Sequence, residues 1–154
     1  MRESSFRRQV CRILRDAGLD PVAVENSVHP GTPDVNYLHG WIELKVARPP
    51  RRAGSPIAVP SFTPQQRVWL RRRWDAGGEA WLLLRVGSTH FLLDGRTAAD
   101  RLGKMSVDQL HASSCSHYSS SGQLIGHLCW DLRMGRVDSV RDRAYDHGGG
   151  STRP

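Results

Sequence analysis

Residue types suited to phosphate chemistry lie close together between residues 29 and 50, in the stretch HPGTPDVNYLHGWIELKVARPP. Asp34 follows a proline, and Glu43 and Lys45 lie two apart in the largely apolar run at residues 41–47. Strand side chains alternate between two faces, so Glu43 and Lys45 must share one face while the apolar residues occupy the other. That face of the strand has to hold a carboxylate and an ammonium group together.

A hairpin is the element that positions these residues. The His-Gly dipeptide at residues 39–40 is typical of a tight connection between antiparallel strands. We therefore predict that strands at residues 34–38 and 41–47 pair across it. The pairing brings Asp34, at the start of the first strand, close to Glu43 in the second.

Two adjacent carboxylates are the hard oxygen ligands that Mg²⁺ or Mn²⁺ prefers. The backbone carbonyl of Leu44, between Glu43 and Lys45, can add a third ligand. Beside a bound cation, the Lys45 ammonium can hold or deprotonate a water and stabilise the charge of a phosphorane-like transition state. An ordinary alternative is an ion pair between Glu43 and Lys45 on a solvated strand, which adds little stability.

The surrounding pattern predicts an α/β fold, a small mixed β-sheet flanked by helices. The apolar residues of 3–17 recur at helical spacing before Gly18, and Thr63 and Pro64 begin a second helix that stops at a Gly-Gly pair. The predicted order is helix, three strands, helix, two strands. The predicted elements are helix 3–17, strands 21–26, 34–38 and 41–47, helix 64–76, and strands 80–86 and 89–94.

Beyond residue 95 the pattern is weaker. A short helix is expected at residues 106–112, and residues 123–131 fit a strand or a buried helix. We expect a core at residues 1–95, an extension at 96–145 packed on that core, and a disordered tail at 146–154.

The chain is basic, with 22 Lys and Arg against 15 Asp and Glu and a formal net charge of +7. Such an excess favours a polyanionic partner, most often nucleic acid, although a merely soluble basic protein has the same composition. Only Lys45 and Lys104 are lysines, and the other basic residues are arginines. Because a lysine offers a compact charge with an adjustable pKa, its use at residue 45 fits a chemical role.

The residues Pro33-Asp34 and Glu43-Leu44-Lys45, with Gly31 before them, resemble the motif of the PD-(D/E)xK nuclease superfamily. The stretch FTPQQRVWLRRRWDAGGEAWLLLRV is similar to the helix and strand that follow this motif in VRR-NUC and Holliday-junction-resolvase proteins. The resemblance covers about residues 3–95. It implies a restriction-endonuclease-like core of order αβββαββ.

The resemblance also implies site residues. Asp34 and Glu43 would bind Mg²⁺ or Mn²⁺, and Lys45 would be the catalytic lysine. A further acid from the first helix is expected, for which Glu3 is the best match and Glu25 the competitor. Gln66 would face the site from the second helix, which completes the set of expected catalytic residues.

By the same resemblance, the protein is expected to be a deoxyribonuclease that cuts branched DNA in recombination or repair. Products with a 5′-phosphate and a 3′-hydroxyl are expected. Symmetric cutting of a junction favours a homodimer. The main alternative is a module on the same fold that binds nucleic acid without catalysis.

Arginines of a Pro-rich loop and of the second helix are candidates for contacts with the DNA backbone. The alternative is that they form a solvated surface. Because the sequence contains no obvious helix for contacting base edges, we expect the protein to recognise DNA shape rather than sequence. The candidates are Arg48, Arg51, Arg52, Arg67, Arg71 and Arg72.

A second cluster near the C-terminus contains Cys115, His117, His127 and Cys129. On a hairpin, each pair would present both side chains to one face, where four ligands could hold Zn²⁺. The spacing differs from common zinc motifs, so structural zinc is not expected; a small zinc-stabilised interaction protein is the corresponding alternative.

The cellular setting is expected to be the cytoplasm of a bacterium, or of the host cell if the protein comes from a bacteriophage. The N-terminal sequence lacks the apolar core of a signal peptide, and the apolar runs are too short for a membrane span. Three cysteines, an odd number, argue against a disulfide framework.

Overall fold

The computed structural model describes residues 1–25 and 29–146 and confirms the predicted α/β class with a mixed sheet. Its first seven elements run helix, three strands, helix, two strands. The elements are α1 (Glu3–Asp16), β1 (Val22–Ala23), β2 (Val35–Tyr37), β3 (Gly40–Ala47), α2 (Pro64–Asp75), β4 (Glu79–Val86), β5 (Thr89–Asp94), α3 (Gly95–Arg101), α4 (Val107–Ser113), β6 (Ser116–Tyr118) and α5 (Ser121–Asp146).

One six-stranded sheet contains the strands in chain order, from β1 to β6. Only β3 and β4 are parallel, and every other neighbouring pair is antiparallel. A parallel pair needs a crossover connection, which α2 supplies between β3 and β4. In this register Glu43 lies beside Leu82 and Lys45 beside Leu84, in the middle of the sheet.

Helices cover both faces of the sheet, which explains the continuous apolar run of β4. On one face, α1 packs on β3, where Ile42 and Leu44 lie, and α5 packs on β5, β6 and α1. On the other face, α2 and α3 pack on β4, where Leu82 and Leu84 lie, and α4 packs on β5. Glu43 and Lys45 point to the α2 face, as the alternation along the strand requires.

The chain after residue 95 adds to both layers and to the sheet. Helix α4 confirms the helix expected at 106–112, and residues 123–131 lie within α5, so the helical alternative is correct. Strand β6, which pairs with β5, was not predicted. No described helix, including the 26-residue α5, is both long and apolar enough to cross a membrane.

Some predicted boundaries differ from the structure. The hairpin connection expected at residues 39–40 is formed by Leu38 and His39, which shifts the pairing of β2 with β3 by two residues. The strand expected at residues 21–26 pairs only at Val22–Ala23, and Asn26 lies outside the described residues. The tail expected at 146–154 begins with Asp146, which is the last residue of α5, and the remainder of that tail lies outside the described residues.

Candidate active site

The β2–β3 hairpin brings the two carboxylates together. Its register pairs Val35 with Ile42, and continuing it by one residue sets Asp34 opposite Glu43. Asp34 Oδ2 accepts a 2.9 Å hydrogen bond from the Leu44 backbone N–H, which fixes the aspartate against β3. The charge of Asp34 contributes to raising the pKa of Glu43, as expected for carboxyl groups on paired strands.

Gly31 fixes the turn that leads into Asp34. Its φ of 88° lies in the left-handed region. A Cβ at this position would come within 2.5 Å of the Gln65 carbonyl oxygen, so the turn packs directly on the first turn of α2. The segment carrying Asp34 is therefore held against the helix that carries Gln66.

Glu43 lies at the centre of the site and is only 1% exposed. Its Oε1 accepts hydrogen bonds from Lys45 Nζ at 2.9 Å and from Gln66 Nε2 at 2.8 Å. Its Oε2 is buried and has no hydrogen-bond partner among the described residues. Burial and then the charge of Asp34 raise the pKa of Glu43 to about 8, against the opposing effect of Lys45.

Lys45 is 4% exposed and directs its ammonium group at Glu43. A lysine is seldom buried to this extent unless it is paired. The pair of Glu43 and Lys45 is thus an interior one, and the solvated-strand alternative is wrong.

Gln66 links the start of α2 to the carboxylate pair. The Thr63 hydroxyl accepts a hydrogen bond from the Gln66 N–H, and Gln66 Oε1 accepts one from the Thr63 N–H at 2.9 Å. This reciprocal capping box uses only the amide oxygen, so Gln66 Nε2 remains to hold Glu43. One side chain therefore caps the helix and orients the carboxylate.

The oxygen donors in this site fit Mg²⁺ or Mn²⁺. Asp34 and the unpartnered Oε2 of Glu43 supply two carboxylates. The Leu44 N–H faces Asp34, and the N–H and C=O of one strand residue point to the same strand edge, so the Leu44 carbonyl faces that side too. One or two carboxylates completed by water and substrate oxygens are the usual Mg²⁺ arrangement.

Neither Glu3 nor Glu25 joins the carboxylate pair in this structure. Glu3 is exposed on the first turn of α1 and accepts a 3.2 Å hydrogen bond from Ser61 Oγ. Glu25 is 82% exposed and pairs with Arg7 at 3.0 Å. The described part of the chain contains no group of three Asp, Glu, His or Cys side chains that could hold a metal.

The six candidate arginines divide into two groups. Arg67 donates to the Ala99 carbonyl at 3.1 Å and lies over a phenylalanine ring, and Arg71 pairs with Asp100 at 2.5 Å. Both therefore tie α2 to α3, because their partners lie on that helix. The other four are exposed in the structure: Arg48, Arg51, Arg52 and Arg72.

A basic groove at the carboxyl ends of β3 and β4 was missed by the sequence analysis. Arg2, Arg48 and Arg85 line it, together with Glu3 and several small or apolar residues. The carboxyl ends of parallel strands are a common location for ligands in α/β proteins. Nothing in the sequence pattern indicated Arg2 or Arg85, because they meet only when α1 packs beside the end of β4.

The four residues of the alternative zinc cluster do not come together as one set of ligands in the described part of the chain. Cys115 and His117 lie before and within β6, but His127 and Cys129 lie on α5. Residues two apart on a helix point about 200° away from each other, so that pair cannot share a face. Cys129 Sγ instead contacts the Ile13 carbonyl of α1 at 3.7 Å.

The chain was compared with protein-family models and with curated proteins, and neither comparison found a match. The chemistry of the site therefore has to be argued from its geometry. Oxygen donors suited to a divalent cation lie beside a buried ammonium group, an arrangement that can activate water and stabilise negative charge.

Proposed function

We propose that this protein is a divalent-metal-dependent DNA endonuclease that hydrolyses phosphodiester bonds. The observation that carries the proposal is that only one carboxylate oxygen of Glu43 has hydrogen-bond partners among the described residues. Lys45 and Gln66 hold its Oε1, whereas its buried Oε2 is unpartnered beside Asp34. Two neighbouring carboxylates repel each other when both are ionised, and a bound divalent cation would relieve that repulsion.

Each residue of the site has a defined task in this proposal. Asp34 and Glu43, with the Leu44 carbonyl, would hold Mg²⁺ or Mn²⁺, which would polarise the phosphate and lower the pKa of a coordinated water. Lys45 donates a hydrogen bond to the attacking water or to a phosphate oxygen and so stabilises developing charge. Gln66 prevents the Glu43 carboxylate from rotating away.

The fold supports the same proposal. A helix, three strands, a helix and two strands follow one another, with the first two strand pairs antiparallel and the β3–β4 pair parallel. This is the arrangement expected of a restriction-endonuclease-like core over residues 1–95. The extension at 96–145 adds β6 and α5 to that core.

The charge distribution supports a nucleic-acid substrate. The loop after β3 carries exposed arginines, and the basic groove lies at the carboxyl ends of β3 and β4. Lys45 lies near the carboxyl end of β3, so both features are at that end of the sheet. Contacts of this kind bind phosphates and carry no sequence information. A preference for branched DNA and a homodimeric assembly follow from the resemblance to junction resolvases.

The test is cleavage of a labelled four-way junction, a linear duplex and a single strand, in Mg²⁺, Mn²⁺ or EDTA. Wild type is expected to cut only with metal, and Asp34→Asn to bind the same DNA without cutting it. Binding by wild type with no cleavage in either metal would contradict the proposal. A salt dependence of about −0.9 per neutralised phosphate would then identify a non-catalytic binding module.

A further inference from the structure

A groove separate from the carboxylate pair lies along the outer side of α2. We call it the α2 groove. It encloses about 290 Å³. Its lining residues come from the turn before β2 and from α2, and they are Pro30, Pro64, Gln65, Val68, Trp69 and Arg72.

The surface of the α2 groove is apolar and aromatic, although it lies on the outside of the molecule. Val68 is 65% exposed and lines the groove beside Trp69. The Trp41 ring lies 5.4 Å from the Trp69 ring, and the Arg73 guanidinium lies 5.0 Å from it. The indole packs partly against the core and also lines the groove.

The charge of the α2 groove favours an anion. Arg72 is its one charged lining residue among those described, and Arg73 lies behind Trp69. An aromatic ring beside arginines is the combination that binds single-stranded nucleic acid, because bases stack on the ring while phosphates meet the cations.

The α2 groove is adjacent to the candidate active site. Trp41, which touches Trp69, shares a face of β3 with Glu43 and lies two residues before it, a separation of roughly 6–7 Å along a strand. On the groove's other wall, the turn at Pro30 leads into Asp34, and Gly31 anchors that turn on α2. A nucleotide in the groove would therefore lie near a phosphate at the carboxylate pair.

We propose that the α2 groove binds an unpaired nucleobase of the DNA substrate, stacked on Trp69, with its phosphate on Arg72. This inference rests on the proposed function and names the substrate feature that the enzyme selects. A fully paired duplex keeps its bases stacked on one another and has none to offer. Junctions, flaps and single strands provide such a base.

The experiment measures binding in EDTA, where cleavage cannot interfere. The probes are a single-stranded oligonucleotide containing one 2-aminopurine and a paired duplex of the same length. The variants are Trp69→Ala and Val68→Asp, the second at an exposed residue whose replacement leaves the core intact. Trp130→Ala on α5 is the matched control, because Trp130 is 65% exposed and lies outside the groove.

Wild type and Trp130→Ala are expected to quench 2-aminopurine and to prefer the single strand. Both groove variants should reduce that preference by about fivefold to a hundredfold, the range expected for one stacked base. Unchanged quenching and preference in both groove variants, or no single-strand binding by wild type, would overturn the inference. Metal-dependent cleavage is measured in a separate assay. If the groove variants bind like wild type but wild type cleaves DNA, the inference about the groove fails and the proposed function does not. If wild type does not cleave DNA, the binding experiment still tests whether the groove holds a base.

Discussion

Glu43 Oε1 and Lys45 Nζ lie 2.9 Å apart in the interior of the sheet, where 1% and 4% of the two residues are exposed. Removing two charges from water is costly, and a buried ion pair is weak evidence for a stabilising role. The pair also leaves Glu43 Oε2 without a partner. The proposed role in binding a cation and a reacting phosphate accounts for this arrangement better than a role in stabilising the fold does.

Glu43→Gln should increase stability while it removes activity. The folded-state pKa of Glu43, about 8, lies above its ordinary value of 4.5, so the folded protein binds more protons than the unfolded chain between these values. Wild-type stability is therefore lost as pH rises from about 4.5 to about 8, whereas the glutamine variant has no such loss. Urea unfolding at several pH values measures the difference in unfolding free energy between Glu43→Gln and wild type, which should grow with pH and level off above about 8.

Mn²⁺ provides the control for this result. Added Mn²⁺ should raise the melting temperature of wild type more than that of Glu43→Gln, because the cation binds the folded carboxylate pair. If the difference in unfolding free energy between wild type and Glu43→Gln did not change with pH, or if Mn²⁺ stabilised the two proteins equally, the buried and destabilising charge would not be that of Glu43.

Gln66 offers a way to separate helix capping from the positioning of Glu43. Gln66→Glu keeps an oxygen to accept the Thr63 N–H but replaces the donor to Glu43 with a third carboxylate. We expect a stable protein with cleavage reduced at least about tenfold. Thr63→Ala is the counterpart and should reduce stability by about 1 kcal/mol while cleavage by the folded protein continues. Equal cleavage by Gln66→Glu and wild type would refute the positioning role.

Gly31→Ala tests whether the turn on α2 positions Asp34. The new Cβ would meet the Gln65 carbonyl at 2.5 Å in addition to the strain of a positive φ, so we expect more than about 2 kcal/mol of destabilisation and slower cleavage. Gly77→Ala is the matched control, with a φ of 93° and no atom within 4 Å of the added Cβ. Gly77→Ala should lose about 1–2 kcal/mol of unfolding free energy, the cost of a positive φ for a residue with a Cβ, and should cleave normally. Indistinguishable behaviour of the two variants would contradict the proposed coupling.

Much of the central arrangement was predictable, because it depends on local periodicity. The alternation along β3 determines that Glu43 and Lys45 share a face. The position of Gln66 follows from a helix that begins at Thr63-Pro64. These two features need only short-range geometry, and the structure contains both. The hairpin connection was predicted one residue too late along the chain, and only the observed connection through Leu38 and His39 sets Asp34 opposite Glu43.

Other features depend on how distant segments pack and were not predictable. Periodicity could not show that Arg71 would pair with Asp100 of α3. The sequence left open whether residues 123–131 form a strand or a helix, and the helix that they form separates His127 from Cys129 around its axis. The α2 groove exists only because the turn at Gly31 rests on α2, and its tryptophan looked like an ordinary helix residue in the sequence.

His90 should make the protein sensitive to acid. Its ring is fully buried, 5.5 Å from the Phe6 ring, and neither ring nitrogen has a side-chain or backbone partner at hydrogen-bonding distance among the described residues. Burial, and then the charge of Arg85, lower the pKa of His90, against a weak opposing interaction with the Tyr118 backbone. The unfolded chain therefore binds the proton more readily, and stability falls as pH drops below about 6.5.

His90→Leu removes this titration while it keeps an apolar side chain of similar size. Urea unfolding between pH 7 and pH 5 should show wild type losing stability relative to the variant as the pH falls. Parallel stability curves for the two proteins would mean that His90 does not titrate on unfolding.

The most direct test of the central claim compares the two lysines of the chain under single-turnover conditions with Mn²⁺ and a labelled four-way junction. Lys45→Met keeps the buried apolar stem and removes the ammonium group, and Lys104→Met makes the same change at an exposed lysine that donates a hydrogen bond to the Asp100 carbonyl. We predict that Lys45→Met slows cleavage by about 10²–10⁴-fold with junction binding retained, whereas Lys104→Met cleaves like wild type. Equal cleavage by both variants and wild type would contradict the assignment of this site.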